Sequence, residues 1–223
     1  MCDNIKNDNT MNRNEKFVIT INRELGTGGR SIGKKLADRL GVKFYDKAVI
    51  KALKEKFHLT TEEIEKLKAQ KEGWWAEFQR RVVPFADVSN GGGNNSDSEI
   101  ITTEEVFNTE TEIIKGINEG ESFVITGRSA FYILKNHPNH LSVLIQAPLE
   151  QRIKRVMERQ SLSREAAVKV ILKVDEGREN YVKKFCGTSR YDTRNYDLVI
   201  SMQGIKEDDA VDIIMDYIYR QGQ

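Results

Sequence analysis

Apolar residues along this chain fall into short runs rich in β-branched side chains, separated by stretches with helical spacing. The first run, Phe17-Val18-Ile19-Thr20-Ile21, is short and continuous, as a parallel strand buried on both faces should be. Gly26, Thr27, Gly28 and Gly29 interrupt it. Ile32, Leu36 and Leu40 then recur on one helical face, up to Gly41 as a stop signal. Val42 to Tyr45 predicts a second strand, and Asp46 a cap for a helix carrying Ile50, Leu53 and Phe57. Thr60 and Glu63 form a capping box ahead of Ile64 and Leu67. Trp74 and Trp75 lead into a helical or irregular stretch ending near Pro84, and a helical face returns from Thr102 to Gly120.

The second half alternates more regularly. A strand is expected over Phe123 to Thr126, then a turn of Gly127, Arg128 and Ser129 into a short helix, Ala130 to Leu134. Leu141 to Ile145 predicts a strand, and two helices follow, Leu149 to Gln160 and Ser163 to about Phe185. Leu198 to Ser201 is the last strand. Asp208 to Tyr219 is the last helix, with Ala210, Ile213, Ile214 and Tyr217 expected inward. Five short strands alternating with helices imply an α/β fold: a five-stranded parallel sheet covered on both faces. Ligands of such sheets bind beyond the carboxyl ends of the strands. The turns 26–31 and 127–129 should therefore border one site.

A length of 223 residues suits one such domain, over 16–223, with room for an insert. Residues 1–15 are rich in Asn and Asp and are expected to be a disordered leader; they lack the apolar centre of a secretory signal. The segment 89–98 is Gly, Asn, Ser and Asp rich and is expected to be flexible. Lys plus Arg number 35 against 34 Asp plus Glu, a balance that argues against bulk nucleic-acid binding and leaves any anion site to local clustering. No apolar run has the length to cross a membrane, and Cys2 and Cys186 show no metal-ligand spacing. These features fit a cytoplasmic protein. His58, His137 and His140 show neither ligand nor triad spacing. Trp74 and Trp75 suit packing, a base platform or a contact between copies of the chain, so a homo-oligomer stays open.

Strand, glycine-rich turn and helix is the layout of a phosphate-binding loop. The glycines let successive N–H groups converge on phosphate oxygens, and the helix start adds its dipole. The usual motif also carries a lysine and a hydroxyl. In the preferred register Gly28 is the second motif glycine, Gly29 stands in the lysine's place, Arg30 and Ser31 follow, and Arg23 occupies the first glycine position. In the other register Arg30 replaces the lysine. Arg23 or Arg30 would then supply the missing positive charge, by bidentate contact. Arg128, at a strand's carboxyl end among small residues, suits an anion. Lys154 and Arg159 read as solvated.

The stretch Ile21-Asn22-Arg23-Glu24-Leu25-Gly26-Thr27-Gly28-Gly29-Arg30, with Phe44-Tyr45-Asp46-Lys47, closely resembles the opening of bacterial cytidylate-kinase-like proteins. So do Val124-Ile125-Thr126-Gly127-Arg128-Ser129-Ala130, Gln146-Ala147-Pro148, Asp175 with Arg178 and Tyr181, and Asn195-Tyr196-Asp197-Leu198. The resemblance implies a P-loop kinase-type three-layer α/β/α fold, with an insert at about 60–101 and a lid at about 149–185. It implies phosphoryl transfer from ATP, with Mg2+, to a nucleoside monophosphate such as CMP, and neither nucleic-acid nor membrane partners. Arg23, Gly26, Thr27, Gly28, Gly29, Arg30 and Ser31 would hold the donor phosphates, with Ser31 near magnesium. Asp46 and Arg128 would meet the acceptor. Arg128, Arg152, Arg155 and Arg178 would close over the transferring group. Two features depart from the pattern: Lys51 and Ala52 stand where the family has an acceptor arginine, and 60–101 is unlike the family's acceptor-binding region. Two rivals follow: a nucleotide-binding sensor without catalysis, favoured by Gly29, and a kinase of a non-nucleotide metabolite, favoured by the insert.

Overall fold

The computed structural model describes residues 11–46 and 104–221. The helices expected between Asp46 and Phe57 and between Thr60 and Leu67, the Trp74-Trp75 stretch, the flexible segment 89–98, the insert at 60–101 and the first part of the leader lie outside the described residues.

The elements are strand β1 (Val18–Arg23), helix α1 (Gly29–Leu40), strand β2 (Lys43–Tyr45), helix α2 (Glu104–Gly120) and strand β3 (Phe123–Thr126). They continue with the short helix α3 (Ala130–Ile133), strand β4 (His140–Gln146), helices α4 (Leu149–Gln160) and α5 (Arg164–Cys186), strand β5 (Leu198–Ser201) and helix α6 (Glu207–Gln221). All pairings are parallel, in the order β2-β3-β1-β4-β5. β1 lies at the centre, with Val18 opposite both Phe123 and His140. The sheet is therefore the expected five-stranded parallel one, in a three-layer α/β/α arrangement.

Strand alternation divides the core. Ile19 and Ile21 face one side, where Ile32 and Leu36 of α1 meet Val211, Ile214 and Ile218 of α6. Val18 faces the other side with Phe123 and Ile125, covered by Ile113, Ile114 and Ile117 of α2. Leu144 continues that face beneath Val182 of α5. Ile153 and Val156 of α4 bury themselves against Ala167 and Ile171, joining the two helices that carry the arginines. In α6 the buried stripe is Ala210, Val211, Ile214, Met215 and Ile218. Ala210 and Ile214 are buried as expected, but Ile213 is 40% exposed, because the buried stripe runs through Val211, Met215 and Ile218 on the other flank of that face. Residues 11–15 of the leader are held against the body. Met11 is buried in the core, its N–H donates to Gln221 Oε1, and Asn12 and Asn139 exchange hydrogen bonds. No helix among the described residues is long and apolar enough to cross a membrane.

Candidate phosphate-binding site

All five strands end at one edge, where the connections after β1 and β3 meet. After β1 the chain curls instead of extending. Gly26 and Gly28 take φ of 89° and 86°, the left-handed region that glycine enters without steric cost. Thr27 Oγ1 donates to the carbonyl of Glu24, and Ile32 N–H bonds back to Gly28. Gly29 N–H has only a long contact to Thr27 Oγ1, 3.4 Å. Among the described residues no partner is shown for the N–H groups of Gly26, Gly28, Arg30 or Ser31. A curled array of N–H groups at a helix start is an anion cradle.

The two arginines that could replace the lysine lie differently. Arg30 is half exposed and its Nε donates to Asp46, 2.5 Å away, so it points along the sheet edge toward β2. Arg23 stays at the loop. A Cβ added at Gly29 would lie 2.6 Å from Arg23 Cβ and 2.9 Å from its Cγ. The side chain of Arg23 thus fills the space through which a side chain at position 29 would leave. Its guanidinium ends against Gly127, where any Cβ would collide with it. Gly29 and Arg23 are therefore sterically one substitution: the stem of a lysine at 29 and the side chain of Arg23 exclude each other.

Arg23 sits in a positive field. Burial, followed by the nearby Arg178 and Arg190 and, more weakly, Arg128, pushes it down from the ordinary guanidinium range to about 9, while Asp46 acts in the opposite sense. It remains charged at pH 7. No carboxylate among the described residues lies within ion-pair distance of it.

Arg128 is presented by a strained turn. Gly127, Arg128 and Ser129 have φ of 78°, 57° and 53°, and non-glycine residues reach that region only at a cost of about 1–2 kcal/mol each. The turn aims Arg128 at the buried Glu110 of α2, 2.9 Å away. Tyr181 Oη donates to the same carboxylate at 3.3 Å. Burial, then the charge of Glu110, raises the Tyr181 pKa, so the phenol stays protonated. From α4, Arg152 is buried behind the loop, with Nη1 2.6 Å from Asp175 and Nε 3.7 Å from Glu24. Arg178, one helical turn after Asp175, sits 3.4 Å from it and 3.5 Å from the carbonyl of Arg23.

Not all the expected residues converge. Arg23, Arg128 and Arg178 share one charged neighbourhood, with Asp46 at its margin. Arg152 lies beneath the loop rather than above it. Arg155, although one turn from Arg152, turns to the far side of the loop and pairs with Glu207. That pair covers Gly28: a Cβ there would lie 2.8 Å from Glu207 Oε1 and 3.0 Å from Arg155 Nη2. Burial opposes ionisation of Glu207, but hydrogen bonds from Arg155 and from Ser31 outweigh it and hold the carboxyl below its ordinary range. Ser31 is thus at the loop, beside a carboxylate.

Four contributors escaped the sequence reading: Arg190, Glu110, Asn22 and Glu207. Arg190, 1% exposed, donates through Nη2 to the carbonyl of Arg23 and to Asn22 Oδ1. It follows α5 in an irregular segment with no periodicity to mark it inward. Asn22 also donates to Tyr196 Oη, whose hydroxyl donates in turn to the carbonyl of Arg190.

Comparison with known proteins agrees with this architecture. The chain is 25% identical over 189 residues to a cytidylate kinase of Pyrococcus horikoshii, covering 84% of this chain and 80% of that one. It is 27% identical over 110 residues to a cytidylate kinase of Sulfolobus acidocaldarius, covering 49% of this chain and 60% of that one. An uncharacterized protein from Eubacterium ventriosum has a crystal structure that superposes with a TM-score of 0.64 at 27% identity, covering 91% of this chain and 98% of that one. The model of the cytidylate kinase-like family matches residues 18–204, from the first residue of β1 to the turn before α6, and the chain belongs to that family.

Proposed function

We propose that this protein transfers the γ-phosphoryl group of ATP to a nucleoside monophosphate, with CMP the first acceptor to test. One observation carries the reading: the lysine missing from the loop is matched by Arg23, whose side chain occupies the lysine's exit space and brings a guanidinium to Gly127. Membership of the cytidylate kinase-like family supports it.

The loop 26–31 receives the donor phosphates on its N–H groups. Phosphoryl transfer needs positioning and charge neutralisation more than covalent participation. Arg23 spans the glycine turn and the Gly127 turn, and so stands between the two halves of the site. Arg178 adds a second guanidinium from α5. Arg128 meets the acceptor phosphate, exchanging part of its contact with Glu110 for a phosphate oxygen. Asp46, at the end of β2, orients the acceptor. Arg155 reaches the loop from the opposite side. Guanidiniums bind phosphoryl oxygens through paired donors, and such bonds strengthen as charge develops on those oxygens.

Magnesium fits the oxygen donors at the loop. The Ser31 hydroxyl stands beside the Glu207 carboxylate, and hard oxygen ligands of this kind suit the ion. Among the described residues no group of three or more potential ligands is assembled, so phosphate oxygens would complete its coordination. Bound there, magnesium would supply charge neutralisation on the phosphates.

A phosphotransfer screen tests the proposal: ATP and magnesium against each nucleoside monophosphate and a panel of hydroxylated and phosphorylated metabolites. ADP formation dependent on CMP or another nucleoside monophosphate supports it. Turnover with a metabolite alone redirects it to a non-nucleotide acceptor. ATP binding without transfer to any acceptor makes the chain a nucleotide-binding module and sinks the catalytic reading.

A further inference from the structure

Asp175 lies near the middle of α5 and is 7% exposed. Four donors converge on its two oxygens. Leu25 N–H reaches Oδ1 at 3.0 Å, Arg152 Nη1 reaches Oδ2 at 2.6 Å, and Arg178 and Arg190 each place Nη1 3.4 Å from Oδ1. One carboxylate thus serves three guanidiniums and a backbone amide.

The same guanidiniums hold the backbone beside that amide. Arg190 Nη2 and Arg178 Nη1 both donate to the carbonyl of Arg23, and Arg152 Nη1 approaches the carbonyl of Leu25 at 3.4 Å. Residues 23–25 are therefore gripped by side chains from α4, α5 and the segment after it. Residues 26–31, immediately beyond, keep the N–H groups for which no partner is shown. The grip ends where the phosphate cradle begins.

We propose that Asp175 is a positioning residue for the phosphate site: it fixes the entry of the glycine loop and the orientation of Arg178 and Arg190 beneath Arg23, without itself touching phosphate. The inference rests on the reading of 26–31 as the phosphate loop. Three guanidiniums cannot share so small a volume without an anion. A buried carboxylate that also accepts the Leu25 amide couples the position of α5 to the path of the loop. Two of the three arginines reach the loop's backbone at Arg23, so a change at Asp175 moves the residue whose side chain crosses the glycine turn. An ion-pair network that only stabilised the fold would leave anion affinity unchanged in the folded protein.

Asp175→Asn keeps the shape and an oxygen for Leu25 but removes the charge. Two quantities are read on the full chain: the affinity for inorganic pyrophosphate by calorimetry, and amide hydrogen exchange at Leu25, with Ile19 and Val143 in the core as internal references. Expected are pyrophosphate binding weaker by about tenfold or more and faster exchange at Leu25, with the core references unchanged. If Asp175→Asn does not fold, Asp175→Asn with Arg152→Met removes a matched pair of charges together, and is compared with Arg152→Met alone; the added loss of affinity is again about tenfold. Wild-type binding with unchanged affinity and unchanged Leu25 exchange in the variant overturns the role of Asp175 and leaves the phosphate loop standing. Failure of the wild type to bind pyrophosphate or ATP at all overturns the phosphate loop, and this inference with it.

Discussion

Replacing Arg23 by methionine should make the free protein more stable and a poorer binder of ATP. In the free protein Arg23 is partly exposed as a residue, but its guanidinium is enclosed among Arg178, Arg190 and Arg128. Its fall from the ordinary guanidinium range to about 9, at about 1.4 kcal/mol per unit, sets a ceiling of about 5 kcal/mol on the cost of keeping it charged at pH 7. Solvent and the opposing charge of Asp46 reduce that, and methionine packs less fully against Gly29 and Gly127. A net gain of roughly 1–3 kcal/mol remains, or a rise in Tm of about 3–10 °C for a chain of this size. The pH dependence has a definite sign. A cation whose pKa is lowered by folding destabilises the folded state while it is charged, and this burden lifts as pH rises through the folded value. The Tm difference between Arg23→Met and wild type should therefore be full at pH 7 and shrink above pH 9. Saturating ATP should reverse the order, because the anion stabilises only the protein that keeps the charge. Differential scanning fluorimetry from pH 7 to 10, with and without ATP, reads all of this. An Arg23→Met protein that is less stable than wild type at pH 7 and equally stabilised by ATP would refute the reasoning.

The other arginines separate by role. Arg128→Ala should mainly raise the KM for the acceptor and Arg178→Ala mainly lower kcat, each by roughly a hundredfold, while the exposed Arg159→Ala stays near wild type; steady-state kinetics with equal effects in all three would dissolve the assignment. Gly28→Ala should cost about 1–2 kcal/mol, because position 28 sits at positive φ, and should weaken ATP binding at least tenfold as its methyl displaces Glu207 and Arg155; denaturant melts and calorimetry check both. Glu207→Gln should lower Tm at neutral pH. Its carboxyl is held below the ordinary range, so its contribution is present above that range and fades as pH falls through the folded value; a Tm deficit that persists in acid would contradict the pairing with Arg155 and Ser31.

The sheet was legible because its strands are buried on both faces and separated by glycine or charged punctuation. Ile19 and Ile21, or Val143 and Ile145, have few alternatives to a central parallel strand. The glycine loop was legible because backbone demands write themselves into sequence: positive φ at Gly26 and Gly28 selects glycine. The arginines were legible as residues but not as geometry. Arg152 and Arg155 share a helical face by spacing, yet the loop passes between them, so one faces Asp175 and the other Glu207. The choice between Arg23 and Arg30 depended on Asp46 drawing Arg30 away, a contact between residues 16 apart. Arg190 carried no signal, since a buried arginine in an irregular segment is written like an exposed one. Composition also concealed that Met11 is core: a lone methionine in a polar leader gives no periodicity from which burial can be read.

Met11 and Gln221 meet beside Asn139, immediately before β4 begins, so both lie at the amino edge of the sheet. Arg13 stacks over Tyr219 at the same place, its guanidinium carbon 4.1 Å from the ring centroid. The loop 26–31 lies at the other edge. A fluorophore or a tether to a solid support attached at Arg13 or Tyr219 would therefore sit at the back of the molecule, at the edge opposite the loop 26–31.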